Sequence, residues 1–135
     1  MVVLLGVLYV IFKFLPVSSL IFKKLSTGML IWTMDKNGNK ITAQLLKTAK
    51  TKVPKDFSIV HVKLQDGREI FVSPSHPTAD GRFIGDLRKG DILDKSEIKF
   101  IERVSYSQGF TYDILSAGET GLYWANEILI KSTLK

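Results

Sequence analysis

Residues 58–72, Ser-Ile-Val-His-Val-Lys-Leu-Gln-Asp-Gly-Arg-Glu-Ile-Phe-Val, decide the fold class. Ser58 to Leu64 alternates, with Val60, Val62 and Leu64 on one face and Ile59, His61 and Lys63 on the other. That period of two belongs to a half-buried strand. Gln65-Asp66-Gly67-Arg68 then reads as a hairpin turn, and Glu69 to Val72 pairs back. Working outward, Met29 to Met34 predicts a strand, and Asp35-Lys36-Asn37-Gly38-Asn39 a tight turn, because Asn-Gly accepts positive φ. Residues 40–48 give a second strand, the one stretch with a helical alternative, and residues 50–56 a polar connection. Downstream, Gly90-Asp91 starts a strand after a tight turn. Further strands are expected over Ile98–Tyr106, Phe110–Leu115 and Gly121–Leu134, with turns at Gln108-Gly109 and Ala117-Gly118-Glu119. The chain reads as all-β.

At 135 residues the chain holds one domain plus, at most, a short appended segment. Hydrophobic residues at 45% and charged residues at 24% are a globular balance. There is no cysteine, which excludes disulfides, thiolate metal sites and a cysteine nucleophile. The two histidines, His61 and His76, supply no three-ligand metal site without carboxylates. The net charge of +6 is uneven: residues 1–67 carry ten lysines against three aspartates, and residues 68–135 nine bases against ten acids. A basic first half fits either an anionic surface or a plain solvated face.

Residues 2–12 are eleven uncharged residues, apolar apart from Gly6, and end at Lys13. Phe14 to Phe22 is again mostly apolar, ahead of Lys23 and Lys24. Eleven residues fall short of the roughly 20 that a membrane span needs. Extending the run puts Lys13 mid-span, and no basic residue precedes it as in a signal peptide. Residues 1–13 are thus an apolar N-terminal segment, either membrane or signal sequence or an extra β-strand.

The chemistry gathers after the central hairpin. Val72-Ser73-Pro74-Ser75-His76-Pro77 sets a hydroxyl and an imidazole three residues apart in a proline-stiffened turn. Such an imidazole suits proton donation to, or polarisation of, a peptide bond lying between strands. A turn histidine capping backbone carbonyls is the plainer reading of the spacing. His61 reads as a partly exposed strand residue, and Trp32 and Trp124 as core aromatics.

Several words in order resemble the Hint domains of inteins and Hedgehog autoprocessing regions, from Phe14 to the C-terminus. Ser73-Pro74-Ser75-His76 stands where the family has Thr-x-x-His, and Leu87-Arg88-Lys89-Gly90-Asp91 matches its Leu-x-x-Gly-Asp. Tyr112-Asp113-Ile114 matches Tyr-Asp-Leu, and Tyr123-Trp124-Ala125-Asn126-Glu127-Ile128 matches Phe-x-Ala-Asn-Gly-Ile. The resemblance implies a horseshoe of curved antiparallel strands over residues 14–135, with the two termini close together at its centre. It also implies self-processing by an N-to-S or N-to-O acyl shift, with the chain's own flanking polypeptide as substrate. No cofactor, metal, specific nucleic acid or external substrate is implied.

The same resemblance exposes departures. The family's Cys-Leu-Pro-x-x-Ser/Thr-x-Ile falls on Phe14-Leu15-Pro16-Val17-Ser18-Ser19-Leu20-Ile21, so phenylalanine stands at the nucleophile position. Ser18 and Ser19 are the only hydroxyls near it, and Ser19 already matches the family's hydroxyl. A serine needs an activating base at neutral pH. The terminal His-Asn falls on Lys131-Ser132, and a further histidine position on Gly121. What the resemblance leaves is Ser73, His76 and Asp113, expected to converge near residues 14–19. Asp113 matches an aspartate in the central hydrogen-bond network of inteins, and alternatively is a strand-end carboxylate fixing Tyr112.

Three readings follow. One is an autoprocessing domain whose record is truncated or altered. Another is a vestigial Hint domain that folds without cleaving. The third is a membrane-associated basic β-domain acting as a binding module. The apolar N-terminal segment favours membrane association or export over a cytoplasmic location.

Overall fold

The structure, a computed structural model, describes residues 26–135. The expectations for residues 1–13, Phe14, Ser18 and Ser19, and for the meeting of the two termini, fall outside those residues. Nine antiparallel strands and one 3-10 turn, Ile84–Asp86, make up the described chain. They are β1 (Leu30–Met34), β2 (Lys40–Lys52), β3 (Ser58–Leu64), β4 (Glu69–Val72), β5 (Ile92–Leu93), β6 (Ser96–Ser105), β7 (Phe110–Ser116), β8 (Leu122–Ala125) and β9 (Ile128–Lys131). The sheets run β1-β2-β7, β4-β3-β6-β5 and β8-β9, and the antiparallel strands curl as the Hint resemblance implies.

The alternation of residues 58–72 is realised except at Ile59, which is buried on the opposite face. Val60, Val62 and Leu64 of β3 and Ile70 and Val72 of β4 are buried, and they meet Ile98, Ile114, Ile128 and Ile130 in one core. β2 serves two partners. Its first half pairs with β1 and its second with β7, and a bulge between Leu45 and Lys47 redirects it. A bulge bends a strand and increases its twist. Because of this second partnership, β2 runs to Lys52 rather than ending at residue 48, and residues 40–48 are strand throughout.

The terminal stretch also differs from the single strand expected over Gly121–Leu134. It folds into the β8–β9 hairpin, with Ala125 paired to Ile128 and positive φ at Asn126 (51°) and Glu127 (68°). Asp94 and Lys95 do the same between β5 and β6. These are primed turns, whose twist suits adjacent strands. Without glycine at the second position, Glu127 conceals its turn in the sequence. Arg68 ties three turns together: its guanidinium meets the Asp66 carboxylate at 2.9 Å, the Asp94 carboxylate at 2.6 Å and the Glu127 carbonyl at 2.8 Å.

Candidate functional site

Ser73 follows directly on β4, and its carbonyl accepts a hydrogen bond from the His76 amide at 3.0 Å. The His76 carbonyl accepts from Ile84 at 3.0 Å, and the Pro74 carbonyl from Gly85 at 2.8 Å. The turn is therefore locked against the 3-10 segment. Thr78 bridges to Ile130, and the Lys131 amide reaches the Pro77 carbonyl at 3.2 Å. Strand β9 thus brings the C-terminal residues alongside His76.

His76 is fully buried, and neither ring nitrogen has a hydrogen-bond partner among the described residues. Burial pushes its pKa down from 6.5 to about 3. The Asp113 carboxylate and the Lys131 backbone favour the charged ring, the latter without completing a hydrogen bond, and burial outweighs both. The imidazole is neutral at pH 7. It can donate or accept a hydrogen bond to a nearby peptide group, but it holds no spare proton for a leaving amine until it has accepted one.

Asp113, on β7 opposite Ala49, is also fully buried. One carboxylate oxygen accepts from Tyr123 Oη at 2.7 Å and from the Ile114 amide at 2.8 Å. The other accepts from both the amide (2.8 Å) and the hydroxyl of Thr133. Four donors offset the cost of burying this carboxylate. Burial, and then the Asp113 charge, raise the Tyr123 phenol well above its usual pKa, so it stays a donor. The Tyr123 ring meets His76 edge-on, with centroids 6.4 Å apart. Tyr123 therefore touches both His76 and Asp113.

Of the residues singled out in the sequence, Ser73, His76 and Asp113 are all buried. Ser73 reaches His76 through its backbone carbonyl. His61 lies apart from them, stacked on Phe71 at 4.1 Å and bonded to Glu69 at 2.8 Å. Trp32 and Trp124 are half-buried, Trp124 packed against the core, and Lys40 lies over both indoles at 4.9 and 5.0 Å. Sequence reasoning missed two members of the network. Tyr123 carried a signal, since an inward-facing tyrosine on an apolar strand needs a partner for its hydroxyl. Thr133 carried none.

No family model and no curated protein matches the chain. Solved structures do. The PabCDC21-1 intein superposes with a TM-score of 0.66 at 22% identity, over 78% of this chain and 72% of that one. For the gp41-1 intein the values are 0.59 and 26%, over 81% and 84%. A bacterial intein-like domain from Clostridium thermocellum gives 0.65 and 16%, over 81% and 85%. With its curled antiparallel sheets and these neighbours, the chain has the Hint fold, the fold of the inteins it superposes on.

Proposed function

We propose that this is a Hint domain of the self-processing type. Its substrate class is its own flanking polypeptide, and it retains the polar site without completing the reaction. The observation that carries the reading is the fully buried pair His76 and Asp113, joined through Tyr123 and held against the C-terminal Thr133. An interior imidazole with no hydrogen-bond partner among the described residues is costly to keep for stability alone. It is the group that a peptide bond brought to the site would meet.

The chemistry stops at the first step. An N-to-S shift needs a thiolate on the residue that follows the scissile carbonyl, and this chain has no cysteine. Phe14 occupies the matching position and offers no lone pair. Ser73 is a positioning residue here, because its carbonyl fixes the His76 backbone. Asp113 binds Thr133 and Tyr123 rather than activating an external nucleophile. The test is a fusion carrying a reporter protein ahead of the full chain, incubated with and without a small thiol and run on a denaturing gel. One unbroken band is expected under both conditions. Thiol-dependent release of the reporter would overturn the reading.

A further inference from the structure

The mechanism leaves one feature unused. Between residues 40 and 65 there are six lysines and a single acid, Asp56. Lys47, Lys50 and Lys52 lie on the exposed second half of β2, and Lys55 follows in the turn. The strand beside them, β7, carries one carboxylate, the buried Asp113, so nothing across the ladder neutralises them. Lys47 donates to the carboxyl oxygen of Lys135, and among the described residues no side-chain carboxylate forms an ion pair with Lys50, Lys52 or Lys55. Along β2 and its partner β1, Leu46 (50%), Ile41 (38%) and Leu30 (59%) are exposed, three of the five large apolar side chains exposed in the described chain.

We propose that the exposed length of β2 and the turn after it, through Lys47, Lys50, Lys52 and Lys55 with Leu46 beside them, is a docking face for an anionic lipid bilayer. Cations interleaved with exposed aliphatic side chains match a headgroup layer, where lysines meet phosphates and leucines enter the acyl boundary. The position of the face agrees. Phe22 closes the apolar N-terminal sequence, and only seven residues separate it from Leu30, at most about 28 Å of chain over the eight steps. If the apolar sequence enters a membrane, this face is held at its surface.

A single-stranded nucleic acid fits the same charge less well, since it needs open aromatic faces on which bases stack. Here Lys50 covers Phe110 at 4.2 Å, and Lys40 covers Trp32 and Trp124. The inference is independent of the processing chemistry, since vesicle binding and peptide cleavage are read separately.

The experiment is flotation of the full chain with phosphatidylcholine vesicles and with vesicles that also contain phosphatidylserine. The neutral vesicles isolate whatever the apolar N-terminus contributes alone. Partition onto the anionic vesicles should be about tenfold or more the stronger, and should weaken as salt rises. The combined variant Lys47→Gln, Lys50→Gln, Lys52→Gln and Lys55→Gln should lose that preference while binding neutral vesicles as before, with an unchanged strand signal in circular dichroism. A second variant, Lys89→Gln, Lys95→Gln and Lys99→Gln, removes exposed lysines from the other side of the chain's ladder order, around β5 and β6, and should keep the preference. Equal partition to both vesicle types would overturn the proposal. So would equal losses in the two variants, which would mean that net charge alone is sensed. Displacement of the chain from anionic vesicles by a single-stranded oligonucleotide would assign the face to nucleic acid instead.

Discussion

Acid should destabilise this domain through His76 before its carboxylates titrate. In the unfolded chain the imidazole titrates near 6.5, and in the folded domain near 3. Below pH 6.5 the unfolded state therefore binds a proton that the folded state refuses. The stability owed to the neutral ring is complete above pH 6.5 and falls as the pH drops towards 3. The limiting slope is about 1.4 kcal/mol per pH unit. Between pH 7 and pH 5 the protonation equilibrium of the unfolded histidine gives a loss of about 2 kcal/mol. Urea denaturation at pH 7, 6 and 5, at constant ionic strength, measures it as a falling midpoint. The comparison protein is His76→Phe, which keeps a ring in the cavity and removes the titrating group. His61 is present in both proteins, so its contribution cancels. The parent should lose about 2 kcal/mol more than His76→Phe across this range. Equal slopes for the two proteins would refute the argument, as would a His76 resonance titrating near 6.5 in the folded domain.

Three further substitutions probe the frame around that site. Tyr123→Phe removes a donor from the buried Asp113 carboxylate and should cost about 1–3 kcal/mol in urea unfolding. Arg68→Lys replaces a planar fork that joins three turns with a point charge, and should cost about 1–2 kcal/mol despite retaining the charge. Glu127→Gly should stabilise by roughly 1 kcal/mol, because the residue sits at a φ of 68°, where glycine is unstrained. A higher thermal midpoint for that variant is the expected result.

The central hairpin was legible because its alternation and its Asp-Gly turn say the same thing at two levels. The strand at Ser58–Leu64 and its partner at Glu69–Val72 appear at the residues expected. The β8–β9 hairpin was not legible: Asn126-Glu127 lacks the glycine that marks a primed turn, and the apolar residues run on either side of it without a break. The extension of β2 to Lys52 was hidden for another reason. Its second half pairs with β7, 58 to 71 residues away, and local composition records no such partner. At the site, the Ser-x-x-His spacing pointed to His76, while its complete burial came from β8 and β9 closing over it. Asp113 was found by resemblance. Its tie to Thr133 joins residues 20 apart across different elements, which no short motif encodes.

The account holds that the reaction fails for want of a nucleophile while the groups that would serve it persist. Its most direct measurement is the intact mass of a reporter fusion carrying Phe14→Cys, before and after incubation with a small thiol. The account predicts thiol-dependent release of the reporter from Phe14→Cys, and loss of that release when His76→Ala is added. A Phe14→Cys fusion that folds and keeps its full mass in thiol would contradict it, leaving His76 and Asp113 as structural residues of an all-β core.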